Sequence, residues 1–202
     1  MLKKIIILDR DGTLNLDQKG YTHKIEEYFL LSGVKHGLKL LQSMGFEFYI
    51  LTSQSGIGRG MFTQDDYEKF VNHLVKDLES EGIKIQGAFF CPHHAKHGQG
   101  SYKTDCNCRK PKSGLVEMVD SQFGPFDYEN SWAIGDKLRD IEMAKNFNNL
   151  IKGILLPKNA GTEFEKKIQD QDKEKVDYTA DSFLQAVKII AQAEKAKKLK
   201  QF

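Results

Sequence analysis

The chain has 202 residues, 40% of them hydrophobic, which suffices for one ordinary core and excludes two full-sized domains. Thirty basic residues against 28 acidic ones give a formal net charge of +2, which excludes a strong overall field toward nucleic acid or anionic membranes. No run approaches the roughly 18 apolar residues of a membrane span, so we expect a cytoplasmic protein whose residues 1–202 form a single domain.

The predicted elements alternate between strands and helices. In chain order they are a strand at 3–8, a helix at 34–44, a strand at 46–51, a helix from Thr63 to Gly82, a strand at 85–90, a helix at 115–123, a strand at 131–134, a short helix around Ile141 and Ala144, strands at 150–156 and 176–179, and a closing helix at about 182–200. Thr63 and Asp66 are typical of a helix-capping pair. The strand at 3–8 has a β-branched centre and no helical period, which is typical of a strand buried on both faces.

The alternation predicts an α/β fold, namely a single doubly wound, mainly parallel sheet flanked by helices. No insertion is long enough for a large cap domain, and residues 157–175 form the one long polar connection. Ligands of such sheets bind at the carboxyl ends of the strands. We therefore expect the functional residues in the segments that follow the strands.

Four polar segments lie at these positions. They are DRDGT at 9–13 after the first strand, TSQSG at 52–56 after the second, RKP at 109–111 before the helix that precedes the fourth, and GDKLRD at 135–140 after the fourth. Taken singly, each is also typical of an ordinary turn or helix cap. Their order along the chain, with each one at a strand end or before a helix, favours one shared site.

The carboxylates of these segments match the needs of a phosphatase. Asp9 and Asp11, two residues apart after a strand, predict a nucleophile and a neighbouring general acid/base. Asp136 adds a third carboxylate, and a set of hard oxygen ligands with open positions suits Mg²⁺. Lys110 would neutralise the phosphoryl group, and a hydroxyl of Thr52 or Ser53 would donate a hydrogen bond to it.

The three cysteines lie in one polar, glycine-rich loop at 91–108. Cys91, Cys106 and Cys108, together with one of His93, His94 and His97, supply the three thiolates and one imidazole of a closed tetrahedral zinc site. Four protein ligands leave no position for a catalytic water. We therefore predict a structural zinc site rather than three unligated thiols.

The four polar segments resemble the four motifs of the haloacid dehalogenase superfamily phosphatases, over nearly the whole chain. The resemblance implies a Rossmann-like fold and an aspartyl-phosphate intermediate on Asp9, with Asp11 as the general acid/base. It implies that Mg²⁺ is held by Asp9, the backbone carbonyl of Asp11 and Asp136. It also implies that Thr52 and Lys110 steady the phosphoryl group.

A narrower resemblance comes from QSGIGRG at 54–60, CPHH at 91–94 and CNCRKP at 106–111. These segments are similar to the family of heptose bisphosphate phosphatases, which release the C7 phosphate of D-glycero-D-manno-heptose 1,7-bisphosphate in surface glycan biosynthesis. The resemblance selects His93 as the fourth zinc ligand. It implies that the small phosphosugar substrate contacts Asp17, Gly20, Tyr21, Ser53, Gln54, Ser55, Arg109 and Lys137. This chain departs from the family in having Ser53 in place of a common Asn, Ser113 in place of a usual Pro, and a loop at 17–21 that is one residue longer.

Three other functions compete with this interpretation. Histidinol-phosphate phosphatase has the same zinc loop, although the twelve residues between His93 and Cys106 favour the heptose enzyme. Nucleic-acid 3′-phosphatases are also related, but the chain has no basic domain. A noncatalytic zinc-containing binding module could use the lysine-rich run at 195–200, yet such a module has no need of Asp9, Asp11 and Lys110 together. We expect a monomer without a nucleic-acid or membrane partner.

Overall fold

The computed structural model describes residues 2–18 and 20–199, except for the side chain of Lys198. Within these residues the strands are β1 (Lys4–Leu8), β2 (Phe46–Ser53), β3 (Ile85–Cys91), β4 (Trp132–Gly135), β5 (Lys152–Leu155) and β6 (Tyr178–Thr179). The helices are α1 (Val34–Ser43), α2 (Ser55–Gly58), α3 (Gln64–Glu79), α4 (Gly114–Phe123), α5 (Leu138–Phe147), α6 (Asp170–Lys173) and α7 (Phe183–Leu199). Lys19 of the predicted substrate loop and Lys200 of the predicted last helix lie outside the described residues.

The six strands form one parallel sheet in the order β3-β2-β1-β4-β5-β6. The chain runs outward from β1 to β3 on one side, then returns to place β4 on the other side of β1. Ligands of open α/β sheets bind in the crevice at such a reversal of strand order. The predicted fold is confirmed, and the crevice lies at the carboxyl ends of β1 and β4.

The sheet is covered on both faces, as the buried pattern of β1 predicts. Ile6 and Leu8 point to a core formed with α1, α3 and α7, whereas Ile5 and Ile7 point to a core formed with α4 and α5. All four side chains are buried, because alternate residues of a strand face opposite sides of the sheet. The central strand is therefore rigidly held, and so is the segment that follows it.

The structure differs from the sequence-based elements mainly at their ends. The second strand continues to Ser53, because Thr52 and Ser53 pair with Phe90 and Cys91 in β3. The single turns α2 and α6 were not predicted, since four residues are too few to show an amphipathic period. Thr63 and Asp66 form the expected reciprocal cap of α3. Within the described residues, no helix is long and apolar enough to cross a bilayer.

Candidate active site

Asp9 lies at the floor of the crevice, one residue beyond β1. Its backbone N–H donates to the carbonyl of Ile134 in β4, which fixes the segment at the centre of the sheet. The Lys110 ammonium group donates to Asp9 Oδ1 at 2.6 Å and to Asp140 Oδ1 at 2.8 Å. All three side chains are buried, so one lysine serves as the counter-charge of two carboxylates from different strand ends.

Burial and these ion pairs shift the pKa values of Asp9 and Lys110 in opposite directions. Burial disfavours an ionised Asp9, but the ammonium group of Lys110, helped by Lys137 and Arg139, holds the pKa of Asp9 below its ordinary value. Burial disfavours a charged Lys110 as well, yet Asp140 and Asp9 together raise its pKa. Asp9 is thus kept as the anion that a nucleophile must be.

Two further aspartates lie close to Asp9 and form with it a cluster that suits a divalent cation. Carboxylate oxygens of Asp9, Asp136 and Asp140 lie within 4.8 Å of one another. Asp136 Oδ2 is buried and has no hydrogen-bond partner among the described residues, although Lys137 Nζ lies 3.2 Å away. Burial, together with the charges of Asp9 and Asp140, raises the pKa of Asp136 to about 8. An oxygen without a hydrogen bond among crowded carboxylates fits a hard cation, whose charge would relieve their repulsion.

Asp11 lies apart from this acidic group. Arg10 donates to both of its carboxylate oxygens, from Nη2 at 2.7 Å and from Nε at 2.9 Å. Gln54 Nε2 donates to Oδ2 at 2.7 Å, and Asn15 Nδ2 donates to Oδ1 at 3.2 Å. Arg10 is fully buried, with its guanidinium 4.7 Å from the ring centre of Phe70. Sequence reasoning missed Arg10, and its position between two aspartates was the only signal that the sequence offered.

The carboxyl end of β2 contributes hydroxyl groups. Gln54 Nε2 also donates to Thr52 Oγ1 at 2.9 Å, so the buried amide of Gln54 connects Thr52 to Asp11. Ser53 Oγ is buried at the cleft and has no hydrogen-bond partner in the described part of the chain. The Gln54 side chain thus contacts both Thr52 and Asp11, while Ser53 retains a free donor.

A cleft of about 140 Å³ opens above these groups. It is lined by Asp9, Asp11, Asp17, Gly20, Tyr21, Thr52, Ser53, Ser55, Arg109, Lys137 and Arg139. The sequence predicted ten of these eleven residues as site residues, and the exception is Arg139. Of the other predicted members, Gln54 and Lys110 lie buried beneath the lining, and Asp136 is the residue whose Oδ2 has no hydrogen-bond partner among the described residues. Three cations therefore face one small polar space.

Asp140 is another residue that sequence reasoning missed. Its Oδ1 accepts from Lys110, and its Oδ2 accepts from the backbone N–H of Lys137 at 3.0 Å. Burial and the nearby charge of Asp9 raise its pKa. An acidic residue in the first turn of α5 looks like an ordinary helix cap, and in this fold it fulfils that role while also holding Lys110.

The four predicted zinc ligands lie together at the end of β3. The Sγ atoms of Cys91 and Cys106 are 3.5 Å apart, those of Cys106 and Cys108 are 3.2 Å apart, and His93 Nδ1 lies 3.3 Å from Cys108 Sγ. These sulfur separations far exceed a disulfide bond of about 2.05 Å, and the donor set fits tetrahedral zinc. His94 Nδ1 instead accepts from the backbone N–H groups of Lys96 and His97.

The cysteine cluster is connected to the cleft through Arg109. Arg109 follows Cys108 directly, and its Nη1 donates to the carbonyl of His93 at 3.0 Å. Cys108 thus fixes the backbone of Arg109 as its neighbour in the chain, and His93 fixes the Arg109 side chain at the cleft. A buried aspartate after β1 that pairs with a buried lysine, beside two further aspartates after β4, is the arrangement of the phosphatases in the haloacid dehalogenase superfamily.

Comparisons with known proteins agree with this class. Residues 4–189 match the family described as polynucleotide kinase 3 phosphatase. The D-glycero-beta-D-manno-heptose-1,7-bisphosphate 7-phosphatase of Pasteurella multocida (strain Pm70) is 35% identical over 94% of this chain and 97% of its own length. The enzyme of the same name from Haemophilus influenzae (strain ATCC 51907 / DSM 11121 / KW20 / Rd) is 33% identical over 96% of this chain and 100% of its own.

A solved structure shares the fold. The D,D-heptose 1,7-bisphosphate phosphatase from B. bronchiseptica, complexed with magnesium and phosphate, superposes with a TM-score of 0.72 at 22% identity. The match covers 94% of this chain and 99% of that one. The chain therefore belongs to the haloacid dehalogenase phosphatases and, within them, to the family of the heptose bisphosphate 7-phosphatases.

Proposed function

We propose that this protein is a magnesium-dependent phosphatase that hydrolyses the C7 phosphate of D-glycero-D-manno-heptose 1,7-bisphosphate. The observation that carries the proposal is the buried ion pair between Lys110 and Asp9 at the floor of a cationic cleft. The two relatives named as heptose-1,7-bisphosphate 7-phosphatases, at 35% and 33% identity over nearly the full chain, support this substrate. Cleavage of the bisphosphate would serve heptose nucleotide and surface glycan biosynthesis.

The reaction would proceed in two displacements at Asp9. A carboxylate oxygen of Asp9 attacks phosphorus, the bond between phosphorus and the C7 oxygen breaks, and Asp11 gives its proton to the departing oxygen. Asp11 then takes a proton from a water molecule, which attacks phosphorus and breaks the bond to Asp9. Orthophosphate leaves, and both carboxylates return to their initial states.

The remaining groups steady the charge that develops on the phosphoryl oxygens. Lys110 lies within hydrogen-bond distance of Asp9, and Thr52 lines the same cleft, so both can donate to a phosphoryl group bound at Asp9. Asp9, Asp136 and the backbone carbonyl of Asp11 would hold magnesium, which supplies further neutralisation of these oxygens when bound. Arg10 and Gln54 orient Asp11.

Three cations at the cleft support a substrate with two phosphates. Arg109, Lys137 and Arg139 line the cleft together, and the attacked phosphate needs only part of their charge. The C1 phosphate of a bisphosphate would use the rest, so a group that does not react would help to orient the one that does. Histidinol phosphate, the alternative substrate, carries one phosphate and a cationic amine, which these side chains would repel.

Zinc would be structural in this enzyme. Cys91, His93, Cys106 and Cys108 supply four ligands, which leaves no position for a reacting water. The bond from Arg109 to the His93 carbonyl gives zinc an indirect influence on substrate binding. We also propose that the enzyme acts in the cytoplasm as a monomer. Its formal net charge of only +2 supports the absence of a nucleic-acid or membrane partner.

Phosphorus NMR of the reaction with the heptose bisphosphate tests the proposal. We expect the C7 phosphate signal to be replaced by orthophosphate while the C1 phosphate remains, with Asp9→Asn as the inactive control. Release of the C1 phosphate, or a higher kcat/KM for histidinol phosphate, would overturn the substrate assignment. Absence of phosphate release from every phosphate ester tried would overturn the phosphatase assignment itself.

A further inference from the structure

The segment after β5 is joined to the loop that forms one wall of the cleft. Asn159 is 1% exposed, and its side-chain amide pairs with the backbone of Asp17 in both directions. The N–H of Asp17 donates to Asn159 Oδ1 at 2.8 Å, and Asn159 Nδ2 donates to the carbonyl of Asp17 at 3.0 Å. The backbone N–H of Asn159 donates to the carbonyl of Gly12 at 2.9 Å. One asparagine thus holds both ends of the segment 12–17.

Lys158 adds a second connection to the same loop. Its ammonium group lies 2.8 Å from Asp17 Oδ2 in a mostly buried ion pair. Its stem packs against Gly12, because a Cβ placed on that glycine would lie 2.7 Å from Lys158 Cγ and 2.7 Å from Asp136 Oδ2. The segment after β5 therefore lies directly beside the acidic group of the active site.

Asp17 transmits this anchoring to the cleft wall. Asp17 Oδ1 accepts from the N–H of Gly20 at 2.8 Å and from Thr22 Oγ1 at 3.2 Å. Gly20 and Tyr21 line the cleft. Both carboxylate oxygens of Asp17 are thus engaged within the protein, although the residue borders the cleft. A side chain engaged in this way serves better as an anchor of the wall than as a substrate contact.

The backbone of Asn159 is held in an uncommon conformation. Its φ is 56°, which lies in the left-handed region that residues other than glycine rarely adopt. Two backbone hydrogen bonds between Lys158 and Lys166, and a bond from Thr162 Oγ1 to the carbonyl of Asn159, maintain it. Such strain persists where the surrounding structure fixes a residue, and it clusters at functional sites.

We propose that Asn159, assisted by Lys158, is a positioning residue that sets the affinity and selectivity for the substrate by fixing the cleft wall of Asp17, Gly20 and Tyr21. The inference rests on the proposed function, since the wall matters only to a substrate large enough to reach it. A fixed wall avoids the entropy cost of ordering a loop each time substrate binds. A small phosphate ester that occupies only the floor near Asp9 gains nothing from the wall.

Asn159→Gly is the variant of choice, because glycine adopts a φ of 56° without strain and only the amide is lost. Losing two hydrogen bonds, each worth a few-fold to about tenfold, should raise KM for the heptose bisphosphate about 10- to 30-fold. The value of kcat should stay within about twofold, and hydrolysis of p-nitrophenyl phosphate should not change. Lys166→Ala is the matched control. Lys166 pairs with Lys158 through its backbone, and its side chain is exposed.

Amide hydrogen exchange in the free enzyme tests the anchoring without any substrate. In Asn159→Gly the N–H of Gly20 should exchange at least tenfold faster, whereas Lys166→Ala should leave it unchanged. Unchanged exchange, an unchanged KM, or equal losses with both substrates would overturn the inference. If Asn159→Gly fails to fold, Lys158→Met is the alternative variant, because it removes only the ion pair with Asp17. It should raise KM about three- to tenfold, and an unchanged KM would then overturn the inference. A wild-type enzyme that cleaves p-nitrophenyl phosphate but not the bisphosphate refutes the proposed substrate, while the exchange rates still test the anchoring.

Discussion

Lys110→Met removes the counter-charge of two buried carboxylates while keeping an unbranched side chain of similar length. In the wild-type protein the ammonium group lies 2.6 Å from Asp9 and 2.8 Å from Asp140, and all three side chains are buried. Breaking a buried ion pair by removing one partner costs about 3–5 kcal/mol, because the remaining charge loses its compensation. We expect a loss of this size in the free energy of unfolding.

The same change should nearly abolish catalysis. Burial alone raises the pKa of a carboxyl group, and Lys110 is the main cause that holds the pKa of Asp9 below its ordinary value. Without Lys110, burial dominates, the pKa of Asp9 rises, and a smaller fraction of the enzyme carries the anionic nucleophile. A donor to the phosphoryl oxygens is lost as well. Together these effects should lower kcat by at least about 10²- to 10³-fold.

Urea unfolding and a phosphate-release assay measure the two effects separately. With a slope of about 2–3 kcal/mol per molar urea for a chain of this size, the midpoint should fall by about 1–2.5 M. Lys112→Met is the matched control, because Lys112 pairs with Asp105 at 2.7 Å on the surface, where the two side chains are 43% and 76% exposed. Such a pair contributes under about 1 kcal/mol. A Lys110→Met midpoint as close to wild type as that of Lys112→Met, or a kcat above a tenth of wild type, would refute the reasoning.

Three further outcomes are expected. Asp11→Asn should lose about 10²- to 10⁴-fold in kcat yet keep its magnesium affinity in a calorimetric titration, because a backbone carbonyl does not depend on the side-chain charge; an unchanged rate would reduce Asp11 to a scaffold residue. Mild chelation should abolish phosphate release and Mg²⁺ alone should restore it, since a carboxylate site exchanges its metal more readily than a closed thiolate site; a requirement for added zinc would contradict this. Cys108→Ser should lower the zinc content measured by elemental analysis and raise KM through Arg109, whereas His94→Ala should leave zinc at the wild-type level.

The sheet could be predicted from short-range patterns, and so could Asp9, Asp11, Thr52 and Ser53 of the cleft lining, whereas the other predicted lining residues came from the family resemblance. Buried strands appear as β-branched runs, and parallel topology brings their carboxyl ends together whatever lies between them. The positions after three predicted strands therefore identified Asp9, Thr52 and Asp136 before any coordinates. Long-range register was not needed, since the crevice forms wherever the strand order reverses.

The residues that were missed depend on partners distant in the chain. Arg10 is buried only because α3 places Phe70 against its guanidinium, and nothing near position 10 in the sequence indicates that contact. Asn159 lies in a segment that looks like a polar surface connection, and its pairing with Asp17 spans 142 positions. Interactions of this kind are set by tertiary packing, which a local pattern does not encode.

Two aspartates only two residues apart acquire different roles through the cations that hold them. Asp9 pairs with Lys110, a compact charge that contacts one of its oxygens, so its carboxylate stays anionic at the floor of the cleft. Asp11 pairs with the planar guanidinium of Arg10, which binds both of its oxygens and holds it away from the acidic group. Exchanging the residue types of Lys110 and Arg10 should therefore lower the rate more than weakening either ion pair, because a lysine at position 10 could not hold both oxygens of Asp11. The two aspartates thus differ in position and orientation through the geometry of their partners, since the two side chains are chemically identical.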